Sequence, residues 1–394
     1  MEAYAPFRHR NFTALLAGSG ITNFGLQMLS LAVSWDLYEQ TKSALVLGNV
    51  GVVQVAPFIL FSLFAGDFAD RHSRQRILLI TQAVIVLSSA FLVFAPTSVA
   101  LIYFCLFLNA SARAFQGPAR LAMLPNSVPP DLLRPAITWN TSANEIASIG
   151  GPAAAGLLIA AAGTKTVYMA QFVCLVVSFA AFTFLKIGGT RTTGVERQSL
   201  LEGARFLWAN KLVFSAISLD LLAVLFGGAT ALLPIFASDI LHVGAHGLGW
   251  LRAAPSLGAI SMALAQTHGL RIRKPGKTLL WSVAGFGAAI ILFGLSRSFW
   301  LSLAMLYLTG ALDNISVVLR QSLVQMETPD YLRGRVLAVN NIFISCSNQL
   351  GAVESGWAAA LLGTVPSVVF GGMATISVVA LFAWRSAHLR HWRY

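Results

Sequence analysis

The sequence contains few charged residues. Only 11% of its 394 residues are Asp, Glu, Lys or Arg, whereas 56% are hydrophobic. Soluble globular domains typically contain about 25% charged residues. A water-facing fold of this size cannot bury so many apolar side chains, so the composition excludes a soluble domain and indicates a polytopic membrane protein.

Cysteine is scarce, and histidine is absent from the apolar segments. The three cysteines, Cys105, Cys174 and Cys346, all lie inside apolar segments, which argues against a disulfide framework. His242 and His246 have the spacing of a helical metal pair, but neighbouring glycines favour a loop there. No Ser/His/Asp or Cys/His set lies within the apolar segments. We therefore expect no enzyme active site, no metal and no other cofactor.

Long apolar segments are abundant. About 20 residues at a rise of about 1.5 Å cross the hydrocarbon core, so each such segment predicts one transmembrane helix. Twelve segments qualify, near residues 13–37, 45–66, 76–95, 98–118, 136–161, 166–186, 211–235, 247–267, 278–296, 299–319, 336–361 and 364–385.

The distribution of basic residues predicts the orientation. If the N-terminus is cytoplasmic, 22 of the 27 Lys and Arg residues (27 − 5 = 22) fall on the cytoplasmic side. The five others are Lys42, Lys165 and Arg297 outside, and Arg113 and Arg252 within spans. This asymmetry predicts a multi-pass protein of the cell inner membrane with both termini in the cytoplasm. The net charge of +12 is thus a topology signal, and without a basic stripe interleaved with aromatics we expect no nucleic-acid partner.

A repeat divides the chain. PDLLR begins at Pro130 and PDYLR at Pro329, an interval of 199 residues (329 − 130 = 199) in a chain of 394. Each copy lies in the loop after an even-numbered predicted span, the fourth or the tenth, and before the following span. The sequence therefore predicts an all-α membrane protein with twelve transmembrane helices in two pseudo-symmetric six-helix bundles, an architecture typical of transporters. The predicted bundles are residues 1–187 and 211–394, joined by a cytoplasmic linker at 188–210.

A charged cluster follows the second span. Gly66 allows a neighbouring helix to approach closely, and the carboxylate of Asp70 can meet the N-terminal end of another helix. Each nearby arginine can bind a carboxylate in a bidentate manner, through two parallel hydrogen bonds. Anchoring at the headgroups explains the arginines but not Asp70 or Gly66, so the cluster predicts a conformational latch. Its residues would be Gly66, Asp70, Arg71 and Arg74, with partners in the loop that carries Arg333 and Arg335.

Three motifs resemble those of a known superfamily. The spacing GxxxDRxxR resembles the signature loop of the major facilitator superfamily, although Ser73 and Gln75 depart from its pattern. RAFQG at 113–117 looks like the RxxQG motif that the superfamily associates with proton coupling, and GGPAAAG at 150–156 is similar to the GPxxGG motif of exporters. The PDxLR stretches and their surroundings resemble the transmembrane secretion branch, which includes the enterobactin exporter. The resemblance implies a transporter fold across the whole chain.

Ionisable residues within the spans predict where protons move, because an unpaired charge in lipid costs a few kcal/mol or more. Two candidate pairs lie at matching depths, and two aspartates have no obvious basic partner. A lone carboxyl group in such surroundings can carry a proton, whereas a paired one can be purely structural. The pairs are Arg113 with Glu145 and Arg252 with Glu354, and the lone residues are Asp220 and Asp313.

The sequence predicts a monomeric secondary active transporter. The resemblance implies that it is a proton-coupled exporter of a small amphipathic molecule, siderophore- or drug-like. It would work by alternating access, with the small molecule, protons and membrane lipid as partners. Phe115, Gln116, Trp139, Phe226 and Trp250 are candidate pocket residues, and the alternative for each aromatic is packing against lipid or core. The alternative functions are a lipid or lysolipid translocase of the same fold and a non-transporting membrane sensor.

Overall fold

The computed structural model describes residues 2–95, 98–185, 200–268 and 274–392, and in these ranges the regular structure is helical throughout. Most of the predicted linker, residues 188–199, lies outside the described residues, and its end forms a short helix. The helices are α1 (Arg10–Thr41), α2 (Ala44–Arg71), α3 (Arg74–Phe94), α4 (Val99–Met123), α5 (Leu133–Ala162), α6 (Thr164–Thr183), α7 (Leu200–Ala209), α8 (Lys211–Phe226), α9 (Leu233–Ile235), α10 (Gly244–Thr267), α11 (Pro275–Leu295), α12 (Phe299–Glu327), α13 (Asp330–Leu362), α14 (Thr364–Arg385) and α15 (Ala387–His391).

Eleven helical stretches in the described ranges are long and apolar enough to cross a membrane. They correspond to eleven of the twelve predicted spans. The seventh, Lys211–Ile240, combines α8 and α9 with the turns around them. The predicted eighth span corresponds to α10, which has 24 residues and carries Arg252 near its middle.

Glycine ends two helices at equivalent points of the repeat. Gly163 follows α5 with φ of 80°, and Gly363 follows α13 with φ of 92°. The two positions lie 200 residues apart (363 − 163 = 200). Positive φ is readily adopted by glycine alone, so each glycine lets the chain stop one helix and reverse at once into the next. The repeat seen in the sequence therefore extends to its turns.

The chain forms two compact units. Unit 1 comprises Met1–Gln40, Val53–Gly194 and Gly244–Ala253, and unit 2 comprises Thr41–Val52, Val195–Val243 and Ala254–Tyr394. Within unit 1, α3 packs against α4 and α6. Within unit 2, α11 packs against α12 and α14, and α8 packs against α13 and α14.

Glycines face each other at a helix crossing in each unit. In unit 1, a Cβ atom on Gly156 of α5 would lie 2.9 Å from Cα of Gly249 in α10. In unit 2, a Cβ atom on Gly356 of α13 would collide with the backbone of Gly48 in α2. Small residues at such contacts allow helix backbones to approach closely. Gly156 belongs to the exporter-like motif, and Gly356 is its counterpart 200 residues later (356 − 156 = 200).

Candidate functional site

The predicted latch lies at the turn between α2 and α3. Gly66, Asp70 and Arg71 belong to the last turns of α2, and their side-chain positions lie outside what the structure describes. Arg74 begins α3 and donates a hydrogen bond to the carbonyl oxygen of Ala122, at 3.2 Å. Arg74 thereby joins the start of α3 to the last turn of α4.

The predicted latch partners Arg333 and Arg335 lie in the first turns of α13. Arg335 forms an ion pair with Glu202 of α7. The helix α7 packs closely here, because a Cβ atom on Gly203 would lie 2.9 Å from the carbonyl carbon of Arg335. One latch arginine therefore has a partner in unit 2 that the sequence analysis missed, and the pairing with Asp70 stays a prediction.

A row of polar contacts joins α1 and α5 in unit 1. Asn23 hydrogen-bonds Asn144, and the amide of Gln27 donates to the hydroxyl of Ser148 at 3.3 Å. The partners are four residues apart on both helices, so the contacts lie on one face of each. Polar side chains at this spacing within two apolar spans are a sequence signal that could have located the row.

Glu145 lies beside this row, but it does not meet its predicted partner. Its side chain is half-buried, while the side chain of Arg113 is exposed on α4. In the described ranges, no ion pair joins Arg113 to Glu145. Gln116, the other polar member of the RAFQG motif, is buried and donates to the amide oxygen of Gln82 in α3 at 3.0 Å.

Each member of the second predicted pair has a polar neighbour in its own unit, and the pairing of Arg252 with Glu354 stays a prediction. Arg252 belongs to unit 1, where it donates to the hydroxyl of Ser30 in α1 at 3.1 Å. Glu354 belongs to unit 2, where it accepts a hydrogen bond from Ser355 at 3.3 Å. The contact to Ser30 extends the polar face of α1 by three residues beyond Gln27.

Asp220 has a basic partner, contrary to the sequence analysis. It forms an ion pair with Arg320, and the side chains of Arg320 and Asp220 are only 2% and 8% exposed. The predicted tenth span stopped at residue 319, which made Arg320 a cytoplasmic residue. The helix α12 continues to Glu327, so Arg320 lies within a spanning helix of 29 residues.

A small cavity lies beside this ion pair. Asp220 of α8, Ser282 of α11, and Asp313 and Ser316 of α12 contribute its polar lining. The hydroxyl of Ser316 is buried and has no hydrogen-bond partner. Asp313 is half-buried and, among the described residues, makes no ion pair or hydrogen bond. The cavity thus contains polar groups that nothing in the described protein satisfies.

The candidate pocket aromatics pack mainly against neighbouring side chains. Trp250 is 40% exposed and donates to the imidazole of His246 at 3.3 Å. Phe226 is half-buried at the end of α8. The ring of Phe115 lies next to those of Phe61 and Phe68, with both centroid distances 5.7 Å. The ring of Trp139 lies next to those of Tyr4 and Phe7, with centroid distances of 5.5 and 5.0 Å. Their role in substrate binding stays a prediction.

Known proteins resemble the chain over its whole length. The model of the transmembrane secretion effector family matches residues 1–393. Enterobactin exporters of Escherichia coli (strain K12) and Shigella dysenteriae serotype 1 are each 26% identical over 398 residues, which cover 98% of this chain and 94% of the relative.

Solved transporter structures share the fold. A bacterial homologue of the human lysosomal transporter Spinster superposes with a TM-score of 0.75 at 14% identity, covering 97% of this chain and 96% of that chain. A point mutant of the peptide transporter POT superposes with a TM-score of 0.79 at 10% identity, covering 97% of this chain and 95% of that chain. The chain belongs to the transmembrane secretion effector family of the major facilitator superfamily, and it is a multi-pass membrane transporter with the all-α, twelve-helix fold of that superfamily.

Proposed function

We propose that the chain exports a small amphipathic molecule by alternating access and that protons moving inward drive the export. The observation that carries the proposal is the charged cluster in unit 2. Asp220, Arg320 and Asp313 lie within spanning helices, beside a cavity with unsatisfied polar groups. Ionisable groups in a membrane are costly, so a cluster of them at a cavity favours a proton pathway over a purely structural role.

The relatives support the proposed substrate class. Curated relatives across the whole chain are enterobactin exporters, at 26% identity. This likeness supports a siderophore-like or drug-like amphipathic substrate, and enterobactin is the natural first probe. The proposed pocket residues remain Phe115, Gln116, Trp139, Phe226 and Trp250.

The remaining assignments complete the proposal. The carboxyl groups that could carry the proton are Glu145, Asp220, Asp313 and Glu354. The cluster of Gly66, Asp70, Arg71 and Arg74 would stabilise one conformation through α13. We further propose an inner-membrane monomer with both termini in the cytoplasm, in line with the excess of basic residues on that side.

Reconstituted vesicles test this function. The purified chain, placed in proteoliposomes with an imposed pH gradient, should move enterobactin or a cationic dye against the direction of proton flow. Adding an ionophore that collapses the gradient should reduce this movement to the rate of empty liposomes. The substrate panel should include a fluorescent lysolipid as the comparison substrate.

Each contrary result favours a different function. Lysolipid movement that ignores the gradient would support a lipid translocase. No flux of any substrate, from protein that remains folded, would support a non-transporting sensor. Enterobactin flux that is indifferent to pH would leave export standing but would remove proton coupling.

A further inference from the structure

The cluster in unit 2 lacks one positive charge. Arg320 supplies one cation, whereas Asp220 and Asp313 supply two carboxyl groups. All three lie on spanning helices, where a net charge is expensive. We propose that Asp220, Arg320 and Asp313 together bind a single proton, and that Arg320 exchanges its carboxyl partner as the proton moves from Asp313 to Asp220.

The geometry of α12 favours this exchange. Asp313 and Arg320 are seven residues apart, which places them on one face of the helix, about 10 Å apart along its axis. Ser316 lies between them, three residues from one and four from the other. Its hydroxyl is buried and unpartnered, and it lines the same cavity as both aspartates. A hydroxyl can accept one proton while donating its own, so Ser316 is suited to relay a proton.

Charge is conserved in the exchange. In the observed arrangement Arg320 pairs with Asp220. In the proposed cycle Asp313 carries the proton in this arrangement. In the alternative arrangement Arg320 pairs with Asp313, which gives its proton through Ser316 to Asp220. Each arrangement contains one arginine cation, one carboxylate and one neutral carboxyl group, so the cluster is neutral in both. A helix movement that shifts the guanidinium of Arg320 along α12, by part of the length of its side chain, would switch between the two arrangements.

Other charged groups do not complete the cluster. The described lining of the cavity comes from α8, α11 and α12, and its titratable residues are Asp220 and Asp313. On α7 and α13, which also pack against α8, Glu202 and Arg335 pair with each other, and Glu354 accepts from Ser355. The basic residues of α8, α11 and α14 are exposed and lie near helix ends, namely Lys211, Lys277 and Arg385. The balancing charge must therefore come from a proton or from a bound monovalent cation.

Infrared titration of the purified protein tests proton binding without any substrate. The wild-type chain should show the carbonyl stretch of a neutral carboxyl group near neutral pH. Asp313→Asn should remove one neutral-carboxyl band from that spectrum, the band of this cluster. Asp220→Asn should remove it as well, because Arg320 then pairs with Asp313. Glu327→Gln is the matched control, since Glu327 is exposed on the same helix, and it should keep the signal.

Three results would overturn the proton site. A wild-type spectrum without a neutral-carboxyl band, or a spectrum that Asp313→Asn leaves unchanged, would contradict it. Binding of radioactive sodium that Asp313→Asn abolishes would identify a metal cation as the occupant. If Asp220→Asn does not fold, the double variant Asp220→Asn/Arg320→Gln replaces it, and this variant should retain a neutral Asp313.

The coupling role rests on the proposed function, so transport is measured separately. Asp313→Asn should reduce gradient-driven export of enterobactin to the rate seen without a gradient and should leave downhill exchange intact. If Glu145→Gln has this effect and Asp313→Asn does not, the inference fails while the proposed function stands. If the wild-type chain ignores the gradient although the infrared signal is present, the proposed function fails and the proton site stands.

Discussion

At the scale of single residues, the buried pair of Asp220 and Arg320 is the strongest electrostatic feature of unit 2. Two charges removed from water lose their hydration, and their attraction compensates only when both are present. Arg320 is 2% exposed, so it cannot turn to solvent if its partner is lost. The pair should therefore tolerate joint replacement better than the loss of one member.

Replacing one partner should destabilise the fold. Arg320→Met should cost about 3–5 kcal/mol, because it leaves a buried carboxylate uncompensated, whereas Asp220→Asn should cost less, because Arg320 can then pair with Asp313. The double variant Asp220→Asn/Arg320→Met should recover most of that loss. Thermal unfolding in detergent, followed by the fluorescence of a thiol-reactive dye or by light scattering, measures the effect. Glu327→Gln should leave the unfolding temperature unchanged, and additive losses in the double variant would refute the coupling.

The sequence allowed part of this site to be predicted. Asp220 and Asp313 stand out because carboxyl groups are rare in apolar spans. Their partner could not be assigned, because hydropathy places Arg320 at the boundary of a span, and only the extension of α12 to Glu327 places it inside. Ser316 gave no signal at all, since a serine in a span is common, and its significance lies in a missing hydrogen bond.

At the scale of helices, glycine permits two close crossings at equivalent points of the repeat. The α5–α10 contact in unit 1 and the α2–α13 contact in unit 2 occur at positions related by the repeat. Without a hydrophobic driving force in lipid, close packing and weak polar contacts hold such helices together. The motif at 150–156 predicted small-residue packing in α5. Its partner α10 could not be inferred, because the motif does not say which helix faces it.

Side chains at these crossings should be harmful. Gly156→Leu and Gly356→Leu should each lower stability and transport, because a Cβ atom on Gly156 would already lie 2.7 Å from the carbonyl oxygen of Ala245. Overpacking of this kind typically costs about 1–3 kcal/mol or more. Gly334→Leu is the matched control on α13, since a Cβ atom there meets nothing within 4 Å.

The glycine prediction is checked by the yield of monodisperse protein and by its unfolding temperature. Gly156→Leu and Gly356→Leu should both fall below wild type, and Gly334→Leu should match it. Wild-type stability in both crossing variants would show that the helices separate there without penalty. The crossings would then have no structural importance.

At the scale of the whole molecule, the internal duplication explains why the fold could be predicted from the sequence. The PDxLR stretches, Gly163 with Gly363 and Gly156 with Gly356 all recur at intervals of 199 or 200 residues. A duplicated unit of six apolar helices leaves few alternatives to a transporter architecture. The bounds of helices were harder to predict, because charged residues near the end of a span, such as Arg320 in α12, resemble loop residues.

Orientation is the property of the whole molecule that the basic residues predict. In a variant whose three native cysteines are replaced by serine, a single cysteine at Asp131 should react with impermeant maleimide only from the cytoplasmic side. Asp131 is exposed between α4 and α5, in the first PDxLR stretch. A single cysteine at Arg297, exposed between α11 and α12, should react only from outside.

Labelling is measured in intact cells and in inverted vesicles. The two positions lie on opposite sides of the membrane because an odd number of spans, five, separates them when α10 crosses the membrane. Labelling of both cysteines from one side would show that α10 does not span, and exchange of the two sides would invert the assigned orientation.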